Sequence, residues 1–149
     1  MNLPTPPHLF ILTDASRGMG LAMAEQLCRP DQQLLCISRG VSAALETLAS
    51  QQGTELWQWQ ADLAQPHAVA DRLSQWLHTV DPTQLSSASL INNAGVFGPL
   101  GPVDDAALVD RSMGRPNSMA RMREMFRCWS TARVSPNQAM LLTFTKAVG

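Results

Sequence analysis

Residues 8–20 read His8-Leu9-Phe10-Ile11-Leu12-Thr13-Asp14-Ala15-Ser16-Arg17-Gly18-Met19-Gly20, and this stretch decides the fold. Its first six residues are a short apolar run, the pattern of a strand buried on both faces of a parallel sheet. The rest is a turn containing Gly18 and Gly20. Beyond it, Leu21, Ala24, Leu27 and Cys28 recur at helical spacing until Pro30 stops the helix. A glycine turn between a strand and a helix lets backbone N–H groups come close to a pyrophosphate, and the helix N-terminus adds partial positive charge. Glycines alone are weak evidence. The strand before them and the helix after them give them weight.

The alternation continues. Gln33–Ser38 predicts a second strand, Val41–Gln52 a helix ended by Gly53, and Glu55–Ala61 a third strand. Pro66 opens a third helix, with Val69, Leu73, Trp76, Leu77 and Val80 as its apolar stripe. Ser89–Asn92 is a fourth strand and leads into Asn93-Ala94-Gly95. Strand and helix in regular succession predict an α/β fold, a parallel sheet with helices on its faces.

Composition narrows the function classes. A chain of 149 residues, 45% hydrophobic and 15% charged, is ordinary for a globular domain with a real core. A net charge of −1 creates no field to gather nucleic acid or an acidic membrane, so neither is expected as a partner. The apolar run Leu9 to Leu12 is far too short to cross a bilayer, and Met1 to Pro7 lacks the basic residue of a secretion signal. Cys28, Cys36 and Cys128 form no C-x-x-C pair, which predicts reduced thiols and a cytoplasmic location. His8, His67 and His78 are scattered, and no metal site is expected from them. There is no Gly-x-Ser-x-Gly elbow, His-Glu-x-x-His pair or Gly-Lys-Ser/Thr loop. Trp57, Trp59 and Trp76 read as helix–sheet packing rather than a stacking platform.

The chain changes character after Asp110. Residues 111–137 hold six Arg and one acid, Glu124, so this segment carries +5 and the remainder −6. A solvated basic segment is favoured over a nucleic-acid patch. Residues 138–149 are apolar with Ala139, Leu142, Thr143 and Lys146 at helical spacing. Three parts are therefore expected: 1–110, a dinucleotide-binding portion; 111–137, a basic segment; and 138–149, the start of a helix.

Four elements, in order, resemble the short-chain dehydrogenase/reductase family. Thr13, Gly18 and Gly20 match its Thr-Gly-x-x-x-Gly-x-Gly motif. Ser38-Arg39 follows the second strand, Asp62-Leu63 the third, and Asn92-Asn93-Ala94-Gly95 closes the fourth. The resemblance covers residues 8–102, and Met140 to Ala147 looks like the family's long interface helix. It implies a Rossmann-like doubly wound parallel sheet, incomplete here, with about four strands in the order 3-2-1-4. It also implies roles. Ser16, Arg17 and the Met19 amide would face the cofactor phosphates, and Gly18 and Gly20 would allow close approach. Asp62 and the Leu63 amide would meet the adenine, while Asn93, Ala94 and Gly95 would line its ribose. NAD-preferring sites place a carboxylate after the second strand. Here Ser38, Arg39 and Gly40 stand there, and a guanidinium suits a 2′-phosphate, so NADP(H) is the expected cofactor. Arg17 adds a second cation on that side.

Three positions depart from the family. Asp14 replaces its first glycine, and a carboxylate there is expected to weaken phosphate binding. Ala132 stands four residues before Pro136, where the family has a catalytic Asn. The chain contains no Tyr, and its only Lys is Lys146, so the family's Ser and Tyr-x-x-x-Lys are not reached and no residue is assigned to catalysis. The expectation is therefore the cofactor-binding part of a longer alcohol/carbonyl oxidoreductase, catalytically impaired as it stands. Its fourth strand would be an exposed edge unless a partner chain covers it. A small carbonyl or alcohol would be its substrate given a complete site, and a homo-oligomer is open. The alternative is a non-catalytic dinucleotide-binding or protein-interaction module.

Overall fold

The computed structural model describes residues 5–63 and 68–93 together with the backbone of 139–143. The elements are β1 (His8–Thr13), α1 (Gly18–Leu27), β2 (Gln32–Ser38), α2 (Ala43–Gln52) and β3 (Glu55–Gln60), then α3 (Ala68–Thr79), a 3-10 turn at Pro82–Gln84, β4 (Ser87–Asn92) and β5 (Ala139–Thr143). The sheet is ordered β3-β2-β1-β4-β5 and every neighbouring pair is parallel. This is the Rossmann-like α/β arrangement with the expected 3-2-1-4 core. The chain winds outward through β2 and β3, then returns to place β4 on the other side of β1. Ligands of such sheets bind at the carboxyl ends of the strands, where the direction reverses.

Strand alternation explains the two-sided core. Leu9 and Ile11 of β1 join Leu35, Ile37 and Leu90 against Leu73 and Leu77 of α3. Their neighbours Leu12, Leu34, Cys36 and Ile91 face the other way, against Ala24 of α1 and Leu45 of α2. Both faces are covered, so the strands read as continuous apolar runs. Leu35 is fully buried at the sheet centre, and Leu35→Ala there would cost about 2–5 kcal/mol. Trp76 of α3 sits edge-on to Trp57 and Trp59 of β3, with centroids 5.3 and 5.8 Å away, and the Arg72 guanidinium lies 4.2 Å above the Trp59 ring. These rings clamp α3 to the sheet edge. Ser42 caps α2 by accepting from the Leu45 amide at 3.2 Å, and Gly53 ends that helix in the left-handed region.

One expectation is overturned. Ala139–Thr143 is not the start of a helix but strand β5, paired with β4 from Ala88↔Ala139 to Asn92↔Thr143. A five-residue apolar stretch satisfies the helical and the buried-strand pattern equally, and periodicity cannot separate them. The open side of β4, a row of unpaired N–H and C=O groups, decides between them. The same pairing corrects the exposed-edge expectation, because β4 is covered by this chain itself. The basic segment 111–137 lies outside the described residues. No helix among the described residues is long and apolar enough to cross a membrane.

Candidate dinucleotide-binding site

The site forms where β1, β2 and β4 end. The Thr13 hydroxyl, fully buried, accepts from the Asn93 amide at 2.9 Å. The Asp14 amide donates to the Ile37 carbonyl at 2.9 Å, and the Ala15 amide donates to Ser38 Oγ at 2.7 Å. Three strand ends are thus tied to one turn by hydrogen bonds that are shielded from water. Ser38 is 3% exposed, so its hydroxyl is a fixed brace rather than a group turned toward solvent.

Asp14 bends the chain with φ +56°, a left-handed conformation that favours glycine and that Asp tolerates better than most residues. Its carboxylate makes no hydrogen bond among the described residues. Gly20 is required by contact rather than by φ. A Cβ there would overlap the Asp14 carbonyl oxygen and lie 2.6 Å from Asn93 Nδ2, so α1 sits directly on the turn. Gly18, at φ +55°, has open space around the position of a Cβ and is needed for its backbone conformation alone.

The N-terminus of α1 is bare. Arg17 occupies the cap position, no side chain accepts from the first amides, and the first turn has no acidic residue. The first intrahelical bond runs from the Leu21 amide to the Arg17 carbonyl, which leaves the amides of Gly18, Met19 and Gly20 without helical partners. Arg17, Gly18 and Met19 are exposed and Ser16 is half-buried. These are the features a phosphate needs: undirected N–H donors, helix-dipole charge and a nearby cation.

The β2–α2 turn lies beside this one. A Cβ on Gly40 would be 3.7 Å from Ser16 Oγ, and Arg39 is exposed with no carboxylate partner among the described residues. Asp62, exposed, and Leu63, half-buried, follow β3, whose end is tied to β2 by the Ala61 amide donating to the Ser38 carbonyl at 2.8 Å. Of the residues singled out from the sequence, Ser16, Arg17, Gly18, Met19, Gly20, Ser38, Arg39, Asp62, Leu63 and Asn93 all fall at this end of the sheet. Ala94 and Gly95 lie outside the described residues. Among the described residues no group of His, Cys, Asp and Glu side chains is arranged to hold a metal.

Two site residues escaped the sequence reading. Gln58 pairs both of its amide atoms with the backbone of Ser42: Oε1 accepts from the Ser42 amide at 2.9 Å and Nε2 donates to the Ser42 carbonyl at 3.0 Å. Gln60 Nε2 donates to the Arg39 carbonyl at 3.0 Å. The available signal was two glutamines at alternate positions of β3, which share one face.

A model of the short chain dehydrogenase family matches residues 8–123, and the chain belongs to that family. It is 31% identical over 96 residues to a benzil reductase ((S)-benzoin forming) of Bacillus cereus, covering 64% of this chain and 39% of that protein. A benzil reductase of Bacillus subtilis is 30% identical over 101 residues, which is 68% of this chain and 39% of the relative. The chain therefore spans about two fifths of the length of these curated relatives. A short-chain dehydrogenase/reductase structure from Burkholderia vietnamiensis superposes with a TM-score of 0.60 at 28% identity, covering 95% of this chain and 66% of its own. The family binds nicotinamide dinucleotides.

Proposed function

We propose that this chain binds NADP(H) and forms the cofactor-binding part of an oxidoreductase that interconverts an alcohol and a carbonyl. The observation that carries the reading is the uncapped N-terminus of α1, whose turn packs through Ser16 against Gly40, next in sequence to the exposed Arg39, where an NAD-binding site would have a carboxylate. The Gly18, Met19 and Gly20 amides would bind the pyrophosphate, with Ser16 and Arg17 at its flank. The Arg39 guanidinium, free of any carboxylate partner among the described residues, would hold the 2′-phosphate through charge-assisted bonds. Asp62 and the Leu63 amide would meet the adenine, and Asn93 with Ala94 and Gly95 its ribose. Asn93 also keeps the turn in shape through its bond to the Asp14 carbonyl, 3.3 Å long.

When bound, the nicotinamide supplies or accepts hydride. This chain's own residues bind and orient the dinucleotide, and none of them is assigned to move the substrate proton. The benzil reductases among its relatives support a carbonyl as substrate class. The second reading is a dinucleotide-binding module without turnover. Titration with NADPH, followed by tryptophan fluorescence, tests binding, because Trp57 and Trp59 lie on β3 and Asp62 follows that strand. Saturable quenching is expected, and its absence would refute both readings. Oxidation of NADPH with a panel of ketones and aldehydes separates them. Turnover supports the oxidoreductase, and binding without turnover supports the module.

A further inference from the structure

The turn between β2 and α2 is not held by its own residues. Its backbone hangs from two side chains of the neighbouring strand. At one end the Arg39 carbonyl accepts from Gln60 Nε2 at 3.0 Å; at the other, the Ser42 amide and carbonyl both pair with the Gln58 carboxamide, at 2.9 and 3.0 Å. The Gln58 pairing imitates a strand bridge, closing a ring between a side-chain amide and a peptide unit. The Ser42 hydroxyl is used as well, as the cap of α2. Sheet register makes this reach available, since Cys36 stands opposite Gln58 and Ser38 opposite Gln60. Between the two anchors lie Gly40, against Ser16, and Val41, 58% exposed. Gln60 thus holds the Arg39 carbonyl itself, and Gln58 holds the far end of the turn that carries Arg39.

We propose that Gln58 and Gln60 are positioning residues for cofactor choice, setting the direction of Arg39 through the backbone of the 39–42 turn. This rests on the NADP(H) reading. A long guanidinium side chain binds a phosphate well only when its Cα is held in place, because each freed rotor must be frozen again on binding. Releasing the two carboxamides lets the turn move, so the contact with the 2′-phosphate weakens. The pyrophosphate contacts, built on α1 and tied to β1, do not depend on these bonds. The signature is therefore a change in discrimination, not a general loss of binding.

The test is equilibrium binding of NADPH and NADH to the full chain and to the Gln58→Met, Gln60→Met and double variants. Met preserves side-chain length and removes the amide. In the double variant NADPH affinity is expected to fall roughly tenfold while NADH affinity stays within about twofold. Gln58→Glu, which keeps an acceptor for the Ser42 amide, should recover part of the preference. A merely structural role would lower both affinities together, and that result overturns the proposal. Gln60 is exposed, so Gln60→Met is expected to fold whatever happens at Gln58. The same preference in the double variant as in the parent chain overturns the positioning role alone. A parent chain with no preference for NADPH overturns the NADP(H) reading, and the positioning role with it.

Discussion

The Asn93 side chain donates through Nδ2 to the backbone carbonyl of Asp14 at 3.3 Å, joining residues 79 positions apart. This bond fixes the carbonyl against which Gly20 packs, and it makes Gly20 the least replaceable residue of the turn. Gly20→Ala would gain helix propensity of about 1 kcal/mol. Overlap with a carbonyl that cannot withdraw costs about 1–3 kcal/mol or more. The overlap should win. The expected result is a lower urea midpoint with an unchanged slope, together with a loss of NADPH binding of tenfold or more. A variant as stable as the parent would show that α1 can slide away from the turn.

Asp14→Gly separates folding from binding. Glycine relieves a left-handed conformation that costs about 1 kcal/mol, and it adds a comparable freedom to the unfolded chain. These nearly cancel, so the melting temperature should change little. Removing a carboxylate beside the proposed pyrophosphate position is worth on the order of 1 kcal/mol, roughly fivefold tighter NADPH binding. Unchanged affinity would mean that the carboxylate points away from the phosphates.

The limits of β1 were legible because burial on both faces writes an unbroken apolar run, from His8 to Thr13, between a proline-rich start and a glycine turn. The positions of Ser38 and Asn93 at the ends of β2 and β4 were legible by motif, although the bracing role of the Ser38 hydroxyl toward Ala15 was not. β5 was misread because its pattern fits two elements and only the unpaired side of β4 selects one. Gln58 and Gln60 were invisible for a different reason. Their partners are backbone atoms of Arg39 and Ser42, and no side-chain pattern records a peptide carbonyl brought near by strand register.

Arg39→Asp tests cofactor choice directly. Charge-assisted bonds to a phosphate are worth about 1.5–3 kcal/mol, so NADPH affinity should fall tenfold or more. The new carboxylate can accept from the ribose 2′-hydroxyl, so NADH affinity should hold or rise. Equal losses for the two cofactors would show that Arg39 does not face the 2′ position.

Cys36 is buried beneath α2, and burial pushes its thiol up to about 12. Cys28 is raised for the same cause. A thiol so far from its thiolate reacts slowly. In a Cys128→Ser background at about pH 8, the folded protein should resist Ellman's reagent and the urea-unfolded chain should take up two equivalents. Rapid labelling of the folded form would place these thiols nearer the surface than the structure does.

His8 links stability to pH at the opposite end of the sheet. Its Nε2 lies 3.0 Å from Ser89 Oγ, and its Nδ1 meets Ser87 Oγ. Burial lowers its pKa below the ordinary 6.5, more than the nearby Asp31 carboxylate raises it. The folded state therefore favours the neutral ring, and the unfolded chain takes up a proton first as pH falls. The stabilisation is complete above about pH 6.5 and is lost as pH drops through 6.5 toward the folded-state value, below which the slope vanishes. Urea midpoints at about pH 7.5 should exceed those at about pH 5, and His8→Gln should remove part of that difference. An identical pH dependence in the variant would assign the effect to carboxylates elsewhere. A midpoint that rises on acidification would reverse the sign and show that the folded state prefers the charged ring, with Asp31 outweighing burial.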